Sequence, residues 1–242
     1  MNTDIKNQAN VTAKSDVNLD LQLREEFFLG AEKFANNPLH RFLKEDHPIE
    51  EKLKFVPRML FFVLGFKDIM EMVRYTGALG EYEKEVNTHS DEDSHHWEWY
   101  LNDLAFMDVK FKNAKPIDLV KQIWESDSFE VRKTIYVFNS YVKKYEHPII
   151  RMLLIEILEM TFDKFKDVIH PILKEADLYD QLDYFGQKHE EMEAGHSTTG
   201  HSDDEITHLI GLMPEENKAE LVPIVNELFD QMYQMTANWA KI

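Results

Sequence analysis

Only eight glycines and eight prolines punctuate 242 residues. These residue types end helices and shape tight turns, so their scarcity leaves room for few, long elements. Apolar residues recur at helical spacing, and strand-like alternation is missing over any useful distance, which makes those elements helices. The length suffices for one large domain or two small ones with a substantial core. No repeat of fixed period divides the chain. The expectation is an all-α, single-domain helical bundle over residues 18–242, after a polar, unpatterned, flexible tail at 1–17.

The pattern predicts a first helix over residues 19–43 and a break at His47-Pro48. Pro48 then opens a second helix, with Glu50 and Glu51 in its first turn and a kink at Pro57, ending near Tyr75. Gly77 to Gly80 turns the chain into a third helix over 81–107. Shorter helices follow at 116–125 and 129–145, then the most apolar one at 148–176, bent near Pro171. A helix at 179–194 leads to a small-residue loop at 195–204, and Pro214 opens the C-terminal helices.

Composition narrows the function classes. Lys and Arg total 27 against 45 Asp and Glu, a net charge of −18. That surface repels phosphate backbones and anionic lipid, so neither nucleic acid nor membrane is an expected partner. With no cysteine, disulfides, zinc knuckles, thiolate iron–sulfur ligation and a thiol nucleophile are excluded. The N-terminal residues carry no apolar signal core. The richest apolar stretch, 55–72, is interrupted by Pro57, Arg58, Lys67, Asp68 and Glu71, too polar to span a bilayer. A cytoplasmic protein is expected. No glycine-rich phosphate loop or Gly-x-Ser-x-Gly elbow is found.

Three segments could carry chemistry. On the third helix, residues 89, 92, 93, 96, 100 and 103 share one stripe, reading His, Glu, Asp, His, Tyr, Asp. It contains two carboxylate-x-x-His pairs, Glu92 with His95 and Asp93 with His96, a spacing that lets both side chains reach one metal ion. A solvated polar face is the alternative. His189, Glu193 and His196 stand at i, i+4 and i+7 and offer three ligands, unless they are an exposed helix end. Glu156 and Glu159 lie within a helix apolar nearly all round, where a carboxylate must be paired, protonated or metal-bound. Arg151 is poorly placed to pair with them, although a Lys or Arg from another helix would serve. Glu159 and Glu193 lie about equally far on either side of the turn near Ala176-Asp177, so antiparallel helices bring them to one level. Carboxylate and imidazole without thiolate suit non-haem iron or manganese. His40, His47, His147, His170, His201 and His208 read as helix-end, kink or loop residues, and Trp97, Trp99 and Tyr100 as core.

His-x-x-Glu-Asp-x-x-His-Trp-x-Trp-Tyr-Leu-x-Asp-Leu at 89–104, with His-x-x-x-Glu-x-x-His at 189–196, resembles the haem-oxygenase-like fold proteins. The likeness is to their iron-containing branch, related to the chlamydial CADD protein, TenA-like proteins and alkene-forming fatty-acid decarboxylases. It implies last-helix ligand roles for His189, Glu193 and His196, and the upstream glutamate role for Glu159 or Glu156. Glu92 or Asp93 with His95 or His96 would complete the set. Glu193 stands where that branch has aspartate, and the seven-residue spacing of some members puts His89 opposite His96, which leaves one or two ions open. Thiaminase chemistry is excluded by the absent cysteine. A ferritin-like di-iron bundle is the competing fold. It would need a carboxylate near position 64, where the sequence reads Phe61-Phe-Val-Leu-Gly65-Phe66.

The functional expectation is an iron-dependent oxidase or oxygenase that activates O2 on a small organic substrate, of amino-acid or fatty-acid type by the resemblance. A homodimer is compatible with it. A cofactor-free oxidase of the same fold and a non-catalytic helical binding protein are the alternatives.

Overall fold

The computed structural model describes residues 18–111, 116–193 and 203–241. The expected tail at 1–17 and His196 lie outside these residues. All regular structure among the described residues is helical: α1 (Leu19–Ala35), α2 (Pro38–Lys44), α3 (Ile49–Lys52), α4 (Leu60–Val73), α5 (Glu81–Asp93), α6 (His96–Phe111), α7 (Pro116–Trp124), α8 (Phe129–Lys144), α9 (Pro148–Glu175), α10 (Gln187–Glu193), α11 (Asp203–Leu212) and α12 (Glu215–Trp239). Short 3-10 turns occupy Leu53–Met59, Ser126–Ser128 and Tyr179–Gln181. The elements form one helical bundle. No described helix is long and apolar enough to cross a membrane.

The most apolar helix is the axis. From Ile149 to Thr161 every residue of α9 is buried, because α1, α2, α5, α8, α11 and α12 pack around it. A helix apolar on all sides can be stable only in such a position. Glycine permits two of the closest crossings elsewhere. A Cβ on Gly30 would come within 2.8 Å of Phe229 where α1 meets α12, and one on Gly65 would meet Ile135 at 2.8 Å where α4 meets α8.

Arg151 fills the polar gap at one end of α9. It donates to the Tyr145 carbonyl at 2.9 Å and the Val73 carbonyl at 2.8 Å, and lies 4.5 Å from the Tyr75 ring. It therefore satisfies carbonyls at the ends of α4 and α8, which have no intrahelical partner, and takes no glutamate of its own helix.

Four expected elements differ. The helix over 19–43 is split, because Asn37 caps α2 by accepting the His40 N–H at 3.0 Å and Pro38 takes the first helical position. Pro57 produces a 3-10 stretch between α3 and α4, since proline removes an α-helical hydrogen bond. The third helix breaks at Ser94-His95 into α5 and α6. The helix over 179–194 is reduced to α10, preceded by irregular backbone at 182–186.

Candidate metal centre

The break at Ser94-His95 decides which of two adjacent histidines turns inward. His96 is buried, whereas the His95 side chain is 68% exposed and sits 3.5 Å from Glu98. His95 is thus a surface residue, and of the two only His96 turns toward the buried stripe. The stripe itself is buried where it matters: His89, Asp93, His96, Tyr100 and Asp103 all face the core.

Two groups of side chains converge there. His89 and Asp93 from α5 meet Glu159 from α9, with ligand-type atoms all within 4.8 Å of one another. His89 Nε2 lies 2.8 Å from Asp93 Oδ2 and 3.5 Å from Glu159 Oε1. His96 from α6 meets His189 and Glu193 from α10, again within 4.8 Å. His189 Nε2 lies 3.1 Å from Glu193 Oε1, and the two imidazole centroids are 4.2 Å apart. Asp93 links the groups, for its other oxygen, Oδ1, is 3.8 Å from His96 Nε2.

These buried His, Asp and Glu groups could hold a metal ion, and their chemistry fits one. His189 Nδ1–H donates to the Tyr184 carbonyl at 2.8 Å; a carbonyl only accepts, so the ring proton is on Nδ1. The other ring nitrogen, Nε2, lies 3.1 Å from the Glu193 carboxylate, a gap that a shared proton or a bound cation would bridge. The charges point the same way. Burial, with the Asp93 and Glu193 carboxylates beside it, pushes Glu159 up to about 8, against the pull of His89. Burial opposes a charge on His89, but Asp93 and Glu159 hold it well above the ordinary histidine value. Burial likewise opposes a charged Glu193, yet His189 keeps it below the usual carboxylate range. Glu159 and His89 thus hold protons that a cation would displace.

Aromatic rings enclose the imidazoles. Trp99 stacks on His96 at 4.8 Å between centroids and Phe162 lies 4.4 Å from His189. Beside these side chains a small pocket, partly open to solvent, is walled by Phe62, Phe66, Leu158, Phe162 and Tyr184. A second, more apolar small pocket shares Phe62, Leu158, Phe162 and Tyr184 and extends to Met232, Met235 and Trp239.

The remaining expected ligands fall elsewhere. Glu156 is buried but belongs to neither group. Glu92 is half-buried and also outside both groups. His196 lies outside the described residues. His89 is the residue that the carboxylate-x-x-His reading passed over. Its signal was an i, i+4 relation to Asp93 and i, i+7 to His96 on the same stripe. Asp103, also on that stripe, is 1% exposed. It accepts from the backbone N–H groups of Asp183 at 2.6 Å, Tyr184 at 2.9 Å and Phe185 at 3.0 Å.

No protein-family model matches this chain, and no curated protein matches it significantly. The fold and the side-chain constellation therefore define the class on their own: an all-α bundle with a buried carboxylate–histidine cluster able to hold a cation.

Proposed function

We propose that this protein is a non-haem iron-dependent oxidase or oxygenase of the haem-oxygenase-like kind, activating O2 on a small organic substrate. One observation carries the reading: the two oxygens of Asp93 face imidazoles of two different clusters, His89 at 2.8 Å and His96 at 3.8 Å. His89, Asp93 and Glu159 would hold one ion, and His96, His189 and Glu193 a second. Donors of this type, oxygen and imidazole without thiolate, suit iron(II) and also manganese(II). Bound in its reduced state, iron supplies the electrons that make dioxygen reactive.

The chain's own residues supply the rest. Asp93, Glu159 and Glu193 provide negative charge inside a region of low dielectric, where it offsets a cation strongly. Trp99 and Phe162 pack the imidazoles in place and exclude water. Burial, followed by the nearby Glu159 and Glu193 charges, raises Tyr184 above the ordinary tyrosine value, so its Oη keeps its proton at neutral pH. The apolar pockets beside the ligands would receive the carbon skeleton of the substrate. α4 lends Phe62 and Phe66 to the pocket wall rather than a carboxylate, which favours the haem-oxygenase-like arrangement over a ferritin-like one.

Oxygen uptake after anaerobic loading with iron(II) tests the proposal. Loaded protein should consume O2 faster than the same iron in buffer, and His189→Ala and Asp93→Asn should each reduce uptake to the buffer rate. Wild-type uptake in both variants, or buffer-rate uptake by the loaded wild type, would contradict it.

A further inference from the structure

We propose that Asp103 is a positioning residue of the metal centre, acting on His189 through a single peptide group. The inference rests on the metal-centre reading above. The Phe185 N–H that Asp103 Oδ2 accepts at 3.0 Å belongs to the same peptide unit as the Tyr184 carbonyl. That carbonyl accepts from His189 Nδ1–H at 2.8 Å. Carboxylate, peptide and imidazole are thereby joined in series, and the series ends at His189 Nε2, inside the ligand cluster.

Two consequences follow from this connection. A metal-bound histidine commonly donates its second N–H to a carboxylate or a backbone carbonyl, which fixes the tautomer and raises the basicity of the ligating nitrogen. Here a carbonyl receives the proton with a carboxylate behind it. Negative charge at the N–H end of an amide strengthens its oxygen as an acceptor, because hydrogen bonds in a chain polarise one another. The second consequence is geometric. Asp103 stands seven residues after His96 on the same face of α6, so this helix carries one imidazole directly and orients the other through the loop.

The loop takes the acceptors for its backbone N–H groups from Asp103, while Asn102 and Lys188 hold the Asp183 side chain. Residues 182–186 are irregular, and the N–H groups of Asp183, Tyr184 and Phe185 all converge on Asp103. Buried backbone donors without partners are costly. The turn is also tight, since a Cβ on Gly186 would lie 2.0 Å from the Tyr179 carbonyl oxygen. Asparagine at position 103 has one acceptor oxygen and one donor NH2 in place of two acceptors. It must lose part of the three-fold contact as well as the charge.

The test uses the full chain at pH 7.5, with iron(II) or manganese(II) alone as the probe and imidazole 15N spectra of the metal-free protein as an independent readout. Asp103→Asn should lower metal affinity about ten- to hundredfold and shift His189 from the Nδ1–H form toward Nε2–H, while unfolding stays cooperative. Arg151→Gln, which disturbs a buried polar group away from the cluster, should leave affinity and spectrum as in the wild type. Wild-type affinity in Asp103→Asn, or a wild-type His189 carrying its proton on Nε2, would overturn the relay. Should wild-type protein bind neither metal, the metal-centre reading fails by itself, and the 15N spectra still decide the relay. Should Asp103→Asn not fold, Asp103→Glu, with the charge kept on a longer arm, should show the same changes to a smaller degree; no change in it would count against the relay.

Discussion

The two ligand clusters are held by different kinds of structure. His89, Asp93 and Glu159 project from α5 and α9, and around Glu159 α9 is buried on all sides; backbone hydrogen bonds and apolar packing fix their positions before any ligand arrives. His189 and Glu193 sit on the seven-residue α10, entered through irregular backbone that depends on Asp103. A helix that short gains little stability from its own hydrogen bonds. The difference suggests a division of labour, in which the α5–α9 cluster is a fixed seat and the α10 cluster is a seat assembled from polar contacts. Any affinity of this cluster for a cation should be correspondingly easier to alter.

The largest expected effect lies in the fixed cluster. Glu159→Leu should abolish the stabilisation due to the ion of its own cluster, which would reach about 4 kcal/mol at free metal a thousandfold above that site's Kd. The same variant should make the metal-free protein less stable, by up to about 3–5 kcal/mol, because one member of a buried charged network is removed while His89 and Asp93 stay behind. The pH dependence has a definite sign. The folded state holds the Glu159 proton up to about 8, whereas an unfolded chain releases it near the ordinary carboxylate value. Metal-free wild type should therefore lose stability as pH rises between those values, and Glu159→Leu should flatten that slope. Urea unfolding with and without manganese(II), across pH, measures all three quantities.

A buried histidine outside both clusters gives the opposite slope and separates the two contributions. Burial pushes His40 down to about 4, offset in part by the Ala35 carbonyl 3.2 Å from its Nδ1. Its folded form stays neutral while the unfolded chain charges, so its contribution is complete above about 6.5 and is lost as pH falls through 4. The effect amounts to about 3 kcal/mol at most. His40→Leu should flatten the acid side of the stability profile and leave metal binding as in the wild type.

The assembled cluster is tested by Gly186→Ala. The added Cβ must displace the Tyr179 or Leu182 carbonyl, costing about 1–3 kcal/mol by the measure of other overpacked sites. Elemental analysis should show metal lost from the His96/His189/Glu193 group and retained by the His89/Asp93/Glu159 group, with His89→Ala giving the reverse. Equal loss from both clusters in Gly186→Ala would erase the distinction drawn here.

The helical character of the chain was legible because periodicity and the shortage of turn formers agree at every scale. The interruptions were not. Asn37-Pro38 is a cap followed by a first-turn proline, a readable signal that the apolar pattern across residues 19–43 overrode. Ser94-His95 carries no comparable signal; its break is set by packing of α6, where Tyr100 Oη donates to the Val56 carbonyl at 2.6 Å. That break separates His95 from His96, which spacing alone had left equivalent. Glu156 and Glu159 were likewise equivalent by pattern, and only the placement of α5 against α9 sets Glu159 beside His89. Asp103 shared the stripe with the ligands, but its partners are backbone groups some eighty positions away, beyond the reach of local spacing.

Diffraction from crystals grown anaerobically with iron(II), collected on both sides of the iron absorption edge, is the most direct trial of the central claim. Two anomalous peaks are predicted, one beside His89 and Glu159 and one beside His96 and His189, with Asp93 between them. A map without anomalous signal at Asp93, in protein shown to be folded and supplied with excess iron, would contradict the account.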